Sequence, residues 1–501
     1  MGPISTRLRV IGMMTFLIVF TARSSQAAPN DWAEGTPGKE NGATRDYYNR
    51  AAFLPWKHKM VDWYDAKNQP QGAVPYAIAR VAKGQKGQFV EWEVTSLVQE
   101  WHSGTQQNLG FFLRLVDGKG DFQFASREHD EEKNRPQLVV TCAQKPEALK
   151  PRADTYLEPA TVKSMGNSEV LRVSPRPNHL LIRFDLTGIK EKPAKAILRL
   201  FNTSQTSGAA ATIGVFRCQQ SHAAADTEPI LGLAAKYPGD KGIAKDPSVL
   251  FATGFEAEAW RDEWSVVGNQ KNSEAVAAGA GWKFEPLQGK ALAANLAKGE
   301  STALNTLYKF KDKTGAEEPE EMYFRYYLRL GDDWNQTEQG GKLPGFSGTY
   351  GKAGWGGRKS NGANGWSARG WFALTIPDDN PLAGLQPIGT YCYHADQAGN
   401  YGDNWVWTRG YRGYLAKNRW YCIEQHVKLN KPDQKDGEIR AWVDGRLAFE
   451  KTGLRYRTVD ALKIEQLWMN VYHGGTKPSP YDQHVFIDNV VIARKYIGPM
   501  K

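Results

Sequence analysis

Three short stretches in the second half of the chain carry side chains that could act together on one anionic substrate. Lys342 follows two glycines, Ser367 and Arg369 flank an alanine, and Tyr391 and Tyr393 flank a cysteine. A lysine or an arginine can neutralise a carboxylate, and the planar arginine fork matches its geometry. Tyrosines two positions apart on a strand point to the same face. These residue types suit β-elimination on an acidic polysaccharide.

β-Elimination removes the proton at C5 of a uronate and expels the 4-linked oxygen. Lys342 and Arg369 are the candidates for neutralising the uronate carboxylate, because stabilising developing charge is often worth ~10²–10³ in rate per donor. A tyrosine close to two cations is expected to have a lowered pKa, so Tyr391 or Tyr393 could serve as base and acid. Lys342 as the base is the alternative. Ser367 is expected to orient Arg369 or the substrate.

Two predicted strands carry an unusual polar face. Along residues 322–330 and 464–473, alternate side chains are Arg, Tyr, Trp, Gln or Asn, and their neighbours are mostly apolar. Since alternate residues share a face, this pattern predicts a groove floor for an anionic sugar, and an ordinary exposed face is the alternative. The predicted substrate-binding residues are Arg325, Tyr327, Arg329, Gln466, Trp468, Asn470, Tyr472 and also His394, although a regular strand would point His394 to the opposite face.

Other chemistries fit the same residues less well. The Gly-Gly-Lys stretch lacks the Ser or Thr of a phosphate loop, and no Gly-x-Ser-x-Gly elbow surrounds Ser367. A glycoside hydrolase needs two placed carboxylates, for which Glu424 and Asp396 are candidates. His394, Asp396 and His426 show no recognisable metal-site spacing. No metal and no cofactor are expected.

The bulk composition indicates a globular protein with a basic surface. The chain has 501 residues, 41% of them hydrophobic, with 50 Gly, 17 Trp and 21 Tyr, and a formal net charge of +10. A basic surface favours anionic partners. Basic and acidic residues are interleaved along the chain without a Lys/Arg run, so an acidic glycan is the expected partner and nucleic acid is not.

The first residues resemble an export signal. Arg7 and Arg9 precede an apolar stretch at 10–20, and Ser25-Gln26-Ala27 has the small residues of a cleavage site. Residues 1–27 are therefore predicted to be a cleaved signal peptide. No later segment reaches the ~18 apolar residues of a membrane span. We expect a secreted or periplasmic monomer that makes no membrane contact.

Four cysteines would then lie in an oxidising compartment. Cys142 and Cys218 are in the first half, and Cys392 and Cys422 are in the second. One disulfide in each half is the prediction, and four unbridged thiols are the alternative, because sequence does not give connectivity.

Short alternating strands separated by glycine and aspartate turns predict an all-β protein. We expect a β-sandwich at 28–220, a linker at 221–248 and a β-jelly roll at 249–501. Asp444-Gly445 between two alternating runs predicts a tight hairpin.

The first half resembles a known module. Residues 94–101, 108–111, 126–128 and 135–138 are similar to the DNRLRE-type β-sandwich, which overlaps carbohydrate-binding module family 96. The opening strands of that module occur later in this chain, at 153–157, 180–186 and 194–200. A circularly permuted sandwich is the prediction, and two partial modules side by side are the alternative.

This resemblance implies glycan binding, with a structural spacer as the alternative. Trp56, Trp63 and Tyr64 are the aromatic residues expected to be exposed for binding, whereas Trp92 and Trp101 are expected in the core.

The second half resembles polysaccharide lyase family 14. The motifs that carry the resemblance lie at 323–327, 341–345, 365–369, 391–394 and 472–475. It implies a jelly roll that cleaves alginate, or glucuronan, with Lys342, the Ser367/Arg369 pair and the Tyr391/Tyr393 pair in the active site. The stretch between Arg369 and Tyr391 is longer than the family pattern. A binding protein without turnover and a glycoside hydrolase on the same architecture are the alternatives.

Overall fold

The structure is a computed structural model, which describes residues 31–143, 145–207, 209–219, 228–279, 281 and 283–501. The predicted signal peptide lies outside these residues. Strands dominate both halves, as the short alternating runs predicted. Within the described residues, no helix has the length and apolar character needed to cross a membrane.

The described residues of the N-terminal half form fourteen strands, one α-helix and one short 3-10 helix. Its elements are β1 (Tyr47–Asn49), β2 (Leu54–Pro55), β3 (Trp63–Tyr64), β4 (Ala77–Val81), β5 (Gln88–Glu93), α1 (Thr95–His102), β6 (Phe111–Gly118), β7 (Asp121–Ala125), a short 3-10 helix (Glu132–Asn134), β8 (Gln137–Cys142), β9 (Lys145–Leu149), β10 (Pro151–Leu157), β11 (Val170–Val173), β12 (His179–Phe184), β13 (Lys195–Ser207) and β14 (Ala211–Cys218).

Two antiparallel six-stranded sheets form the N-terminal sandwich. One has the order β10-β12-β6-β14-β3 with β4 also on β14, and the other has the order β11-β7-β13-β8-β9 with β5 also on β13. Trp92 of β5 and Ile182 of β12 belong to the same buried cluster. Because the two segments share one core, two separate partial modules are excluded, whereas the permutation itself stays a prediction. Trp92 and Trp101 are buried, as expected.

The described residues of the C-terminal half form sixteen strands and one short α-helix, together with short 3-10 helices. Its elements are β15 (Val249–Thr253), β16 (Val266–Gly268), β17 (Ser273–Val276), β18 (Ala291–Leu296), β19 (Thr302–Lys309), α2 (Phe310–Thr314), β20 (Glu321–Leu330), β21 (Gly341–Gly348), β22 (Trp366–Phe372), β23 (Gln386–Tyr393), β24 (Asp403–Val406), β25 (Tyr414–Leu415), β26 (Trp420–Lys428), β27 (Gly437–Val443), β28 (Arg446–Leu454), β29 (Gln466–His473) and β30 (Gln483–Ala493), with 3-10 helices at Trp260–Glu263, Gln270–Asn272 and Arg409–Tyr411.

These strands form two eight-stranded sheets of a jelly roll. The outer sheet has the order β17-β18-β30-β20-β26-β27-β28 with β15 on β30, and the inner sheet has the order β16-β19-β29-β21-β22-β23-β24 with β25 on β23. One large apolar core lies between them. The predicted hairpin joins β27 and β28, and both Asp444 (φ 51°) and Gly445 (φ 75°) have the positive φ of the tight turn.

The described part of the predicted linker packs on the outer sheet. Residues 228–248 contain three 3-10 helices, Leu233–Lys236, Pro238–Asp240 and Ile243–Lys245. Leu233 and Ile243 are buried against Val491 and Ile497. This segment therefore covers the jelly roll and is not a free spacer.

The N-terminal segment connects the sandwich to the jelly roll. Trp56 is buried in a cluster that also contains Ile376 and Leu382 from the loop after β22. The amide groups of Asn49 and Asn380 form two reciprocal hydrogen bonds of 2.8 Å. The expectation that Trp56 is exposed for binding is therefore wrong, while Trp63 and Tyr64 are half-buried.

None of the four cysteines forms a disulfide, so the predicted bridges are wrong and the alternative of unbridged thiols holds. Cys392 lies on β23 of the inner sheet, and Cys422 lies on β26 of the outer sheet. Cys392 is part of the core, whereas Cys422 lies beside Arg325 and Tyr327 on the covered face of the outer sheet. The two thiols thus have different surroundings, which sequence spacing does not show.

Candidate active site

Adjacent strands of the inner sheet carry the candidate catalytic residues. In the antiparallel register, Arg369 of β22 lies opposite Tyr391 of β23, and Lys342 of β21 lies opposite Tyr472 of β29. Both pairings of β21 shift register between Lys342 and Gly345. Pro344 has no N–H for the ladder, which accounts for the interrupted register next to Lys342.

Lys342, Arg369, Tyr391 and Tyr472 line one cavity of about 580 Å³. Its walls come from β19, β21, β22, β23, β29 and the loops next to them. The lining residues are Asn269, Thr302, Asn305, Lys342, Trp355, Gly356, Arg369, Tyr391, Tyr393, Tyr401, Trp468, Asn470, Tyr472, Gly474, Gly475 and Thr476.

The Lys342 ammonium group lies over the face of the Tyr391 ring, with Nζ 3.7 Å from the ring centroid. Burial, and then repulsion by Arg369, lower the pKa of Lys342 to about 7. A lysine with this pKa is partly neutral near pH 7, so it can accept a proton.

The Arg369 guanidinium group is held from two sides. Its Cζ lies 4.4 Å from the ring centroid of Trp468, and its Nη1 donates to Asn470 Oδ1 at 3.2 Å. Asn470 Nδ2 in turn donates to the Leu304 carbonyl oxygen at 3.2 Å. Burial lowers the pKa of Arg369 to about 10, so it remains a cation near pH 7. Its Nε has no hydrogen-bond partner, which leaves a buried donor for an anion.

The two tyrosines form a hydrogen-bonded pair. Tyr391 OH donates to Tyr393 OH at 3.3 Å, and the backbone N–H groups of Gly402 and Gly357 donate to Tyr391 OH and Tyr393 OH respectively. Burial, followed by the hydrogen bond to Tyr393, raises the pKa of Tyr391. The expected lowering of the pKa is wrong for Tyr391, because burial outweighs the nearby cations. Tyr391 is therefore a protonated phenol near pH 7.

Ser367 neither orients Arg369 nor lines the cavity. Its Oγ is buried and donates to the Gly354 carbonyl oxygen at 2.7 Å. Gly354 lies next to Trp355, which lines the cavity. The expected role of Ser367 is therefore corrected: it holds the loop that carries Trp355.

Three predicted substrate-binding residues lie on the outer sheet, away from the cavity. Arg325 is buried and bonds to Asp240 and to the Asn489 carbonyl oxygen. Tyr327 OH accepts a hydrogen bond of 2.7 Å from the Met500 N–H, and Arg329 Nη2 donates to the Lys283 carbonyl oxygen at 2.6 Å. The expectation that Arg325, Tyr327 and Arg329 form a groove floor is wrong, because other segments of the chain cover this face.

Gln466 and His394 also lie outside the cavity wall. Gln466 Nε2 donates to Ser347 Oγ at 3.2 Å. The His394 ring lies 2.8 Å, Nε2 to Oδ2, from Asp403 and is mostly buried. The structure therefore does not bring these two residues to the predicted site.

Trp468, Asn470 and Tyr472 line the cavity, and their role in binding stays a prediction. Sequence reasoning missed Trp355 and Tyr401, which lie on loops where strand alternation gives no signal. Asn305 was also missed, although its Oδ1 accepts a 2.7 Å hydrogen bond from Trp468 Nε1.

None of the residues that line the cavity is an aspartate or a glutamate. Glu424 is buried behind the outer sheet, where it accepts hydrogen bonds from the Ile497 and Gly498 N–H groups at 2.7 Å each. Asp396 pairs with Arg455 and Lys435. The two carboxylates of a glycoside hydrolase are thus missing from the described cavity wall.

Part of the jelly roll matches a known family model. Residues 287–490 match the Polysaccharide lyase 14 family model. The chain is similar to a mutant alginate lyase bound to an alginate tetrasaccharide, with 21% identity, 49% of this chain and 93% of that chain covered, and a TM-score of 0.38. It is also similar to a marine alginate lyase from Aplysia kurodai, with 16% identity, 49% of this chain and 98% of that chain covered, and a TM-score of 0.37. An endo-β-1,4-glucuronan lyase from the fungus Trichoderma reesei is 15% identical, with 49% of this chain and 95% of that chain covered and a TM-score of 0.34.

The N-terminal half matches a different model. Residues 36–140 match the Disaggregatase related repeat domain. The resemblance to carbohydrate-binding module family 96 stays a prediction. No curated protein sequence matches the chain.

Proposed function

We propose that this chain, a polysaccharide lyase whose residues 287–490 form a polysaccharide lyase 14 domain, cleaves a polyuronate such as alginate by β-elimination. One observation carries the proposal. Two cations, half-buried Lys342 and buried Arg369, share a cavity with a pair of phenols, and no carboxylate lines that cavity. The two cations attract an anionic sugar, and the lysine and the phenols can transfer protons. The cavity lining lacks the two carboxyl groups that glycoside hydrolysis needs.

In the proposed mechanism, Arg369 binds the uronate carboxylate at C6. Its Nε is buried without a partner, and the contacts with Trp468 and Asn470 fix the guanidinium plane. A carboxylate that pairs with Arg369 is better able to accept the charge that develops when C5 loses its proton.

Lys342 acts as the base and Tyr391 as the acid. Lys342 has a pKa of about 7, so its neutral form can take the C5 proton. Tyr391 keeps its proton near pH 7 because burial raises its pKa. It can then donate this proton to the departing O4, while the bond between C4 and C5 becomes double. This assignment uses Lys342, the alternative in the sequence analysis, as the base.

Alginate and glucuronan are the proposed substrates, since both are 4-linked polyuronates with a carboxylate on each ring. We also propose that the protein acts outside the cytoplasm, on the basis of the signal-like residues 1–27. The N-terminal sandwich is proposed to bind the same polymer, and its half-buried Trp63 and Tyr64 are the aromatic candidates.

The test is to incubate the protein with alginate, with glucuronan and with alginate whose carboxyl groups have been reduced to alcohols. We expect ultraviolet absorbance from unsaturated ends with at least one intact polymer and none with the reduced polymer. New reducing ends without that absorbance would indicate hydrolysis instead. Binding to the polymer without new ends would indicate a protein that has lost turnover.

A further inference from the structure

A second group of charged side chains lies in the N-terminal sandwich, outside the wall of the catalytic cavity. Glu34, Glu128 and Asp154 each offer one carboxylate oxygen, and these oxygens lie within 4.8 Å of one another. Glu34 precedes β1, Glu128 follows β7 and Asp154 is part of β10. Three acidic side chains from distant parts of the chain therefore meet at one point.

Asp154 is the residue that distinguishes this group from an ordinary acidic surface. Only 1% of Asp154 is exposed. Its Oδ2 accepts a hydrogen bond of 2.8 Å from the Arg127 N–H, but its Oδ1 is buried without a partner. Glu128 Oε2 is also buried without a partner. Buried carboxylate oxygens are normally hydrogen-bonded, so these two oxygens point to a missing ligand.

Arg127 is the cation in direct contact with the cluster, and Arg135 acts on Glu128 from a greater distance. The Arg127 guanidinium bridges two members, with Nε 2.9 Å from Glu34 Oε1 and 2.7 Å from Glu128 Oε1. One guanidinium thus pairs with two of the three carboxylates, and the Asp154 carboxylate has no ion-pair partner among the described residues. Because like charges at this distance repel strongly in a partly buried site, a further cation would stabilise the arrangement.

We propose that Glu34, Glu128 and Asp154 bind a Ca²⁺ ion. The donor set contains only oxygens, which hard cations prefer, and it has neither the His nor the Cys of a typical zinc site. Ca²⁺ tolerates irregular geometry and completes its shell with water, which suits a site where Glu34 and Glu128 are half-buried. Mg²⁺ demands a more regular octahedron and binds more weakly here.

The ion would connect the N-terminal segment to the sandwich. Glu34 Oε1 already accepts the Asp154 N–H at 2.8 Å, so Ca²⁺ would reinforce a contact between this segment and β10. The same segment continues to Asn49, which bonds to the jelly roll. Ca²⁺ is therefore expected to raise the stability of the sandwich without entering the catalytic cavity.

The experiment uses the full chain after treatment with a chelator, followed by titration with CaCl₂ or MgCl₂. Isothermal titration calorimetry is expected to show one Ca²⁺ site and a weaker Mg²⁺ response. Saturating Ca²⁺ is expected to raise the Tm of the protein by about 4 °C, because an ion that binds only the folded state stabilises it by mass action.

Asp154→Asn and Glu128→Gln are expected to abolish both the binding and the Tm gain. Without Ca²⁺, each variant should be at least as stable as the parent, because one repelling charge has been removed. Glu128→Gln, at a half-buried position, keeps the test decisive if Asp154→Asn does not fold. Asp117→Asn, at an exposed position on β6, is the matched control and should keep the full response.

The proposal is overturned if the parent protein gives neither binding heat nor a Tm gain with Ca²⁺. It is equally overturned if the two cluster variants keep the full response of the parent, since the ion would then bind elsewhere.

Discussion

At the scale of single residues, the burial of Lys342 connects structure to reactivity. An exposed lysine has a pKa near 10.5 and is a poor base at pH 7, but burial and the Arg369 charge lower the pKa of Lys342 to about 7. The Tyr391 ring centroid lies 3.7 Å from Lys342 Nζ. The pKa of Tyr391 is raised, because burial disfavours the charged form of the phenol. Desolvation in one cavity thus makes the base and the acid available at the same pH.

This pair predicts the pH dependence of cleavage. Protonated Lys342 cannot act as a base, so kcat/KM should fall as the pH drops through about 7. In Arg369→Gln, the repelling charge is absent, so the pKa of Lys342 should rise and the midpoint should move to higher pH. Initial rates of unsaturated-end formation from pH 5 to 9 measure both profiles. An unchanged midpoint in Arg369→Gln would contradict the coupling.

Alternation along a strand predicts which residues share a face, but it does not reveal what covers that face. Residues 322–330 and 464–473 show the same alternation of polar and apolar side chains. Trp468 and Tyr472 line the cavity, whereas Arg325 is covered by residues 228–248 and by the C-terminal tail. An Arg/Tyr face can be paired internally, and only tertiary structure distinguishes the two cases.

At the scale of elements, the loop after β21 depends on a hydrogen bond from β22. Ser367 Oγ holds the Gly354 carbonyl oxygen, beside Trp355. Ser367→Ala should raise the KM for the polymer several-fold, because Trp355 loses its fixed position, and should cost about 1 kcal/mol of unfolding free energy. Steady-state kinetics and denaturant unfolding measure these changes.

Ser347→Ala is the matched control for that experiment. Ser347 is a buried serine on β21, and its Oγ bonds to Gln466 and not to the loop. It should lose similar stability with an unchanged KM. An equal rise of KM in both variants would mean that loss of stability, and not the position of Trp355, causes the effect.

The 228–248 segment stabilises the outer sheet through a buried ion pair. Arg325 is fully buried and pairs with Asp240. Asp240 has a φ of 58°, which asparagine tolerates, so Asp240→Asn changes the charge with little backbone strain. We expect a loss of about 3 kcal/mol of unfolding free energy and an unchanged KM. A large rise of KM would restore Arg325 as a substrate-binding residue.

At the scale of the whole molecule, the sandwich and the jelly roll share a buried contact. Trp56 and Leu54 pack with Ile376 and Leu382, and Tyr414 OH donates to the Ala52 carbonyl oxygen at 2.5 Å. Because this contact is apolar and hydrogen-bonded, we expect the two halves to unfold in one calorimetric transition.

Leu382→Asp should separate that transition into two, because it places a charge in the apolar contact. Calorimetry of the parent and the variant, with unfolding checked for reversibility, measures the difference. Two resolved transitions in the parent would show that the contact does not couple the halves.

Most of the architecture could be predicted from sequence, because short alternating strands and the Asp444-Gly445 turn are local signals. Features that depend on distant contacts could not. The docking of Trp56 joins residues more than 300 positions apart, and Glu34 lies far in sequence from Glu128 and Asp154. The predicted disulfides failed for the same reason, since pairing depends on where Cys392 and Cys422 lie in three dimensions.

The central claim is that Lys342 takes a proton from a uronate in the inner-sheet cavity. The most direct measurement is the rate at which unsaturated ends form from alginate or glucuronan with the parent protein and with Lys342→Met, which preserves bulk but cannot accept a proton. We predict that the parent forms them and that the rate in the folded variant falls at least about 10³-fold. A folded Lys342→Met protein that retains most of the rate would contradict the account.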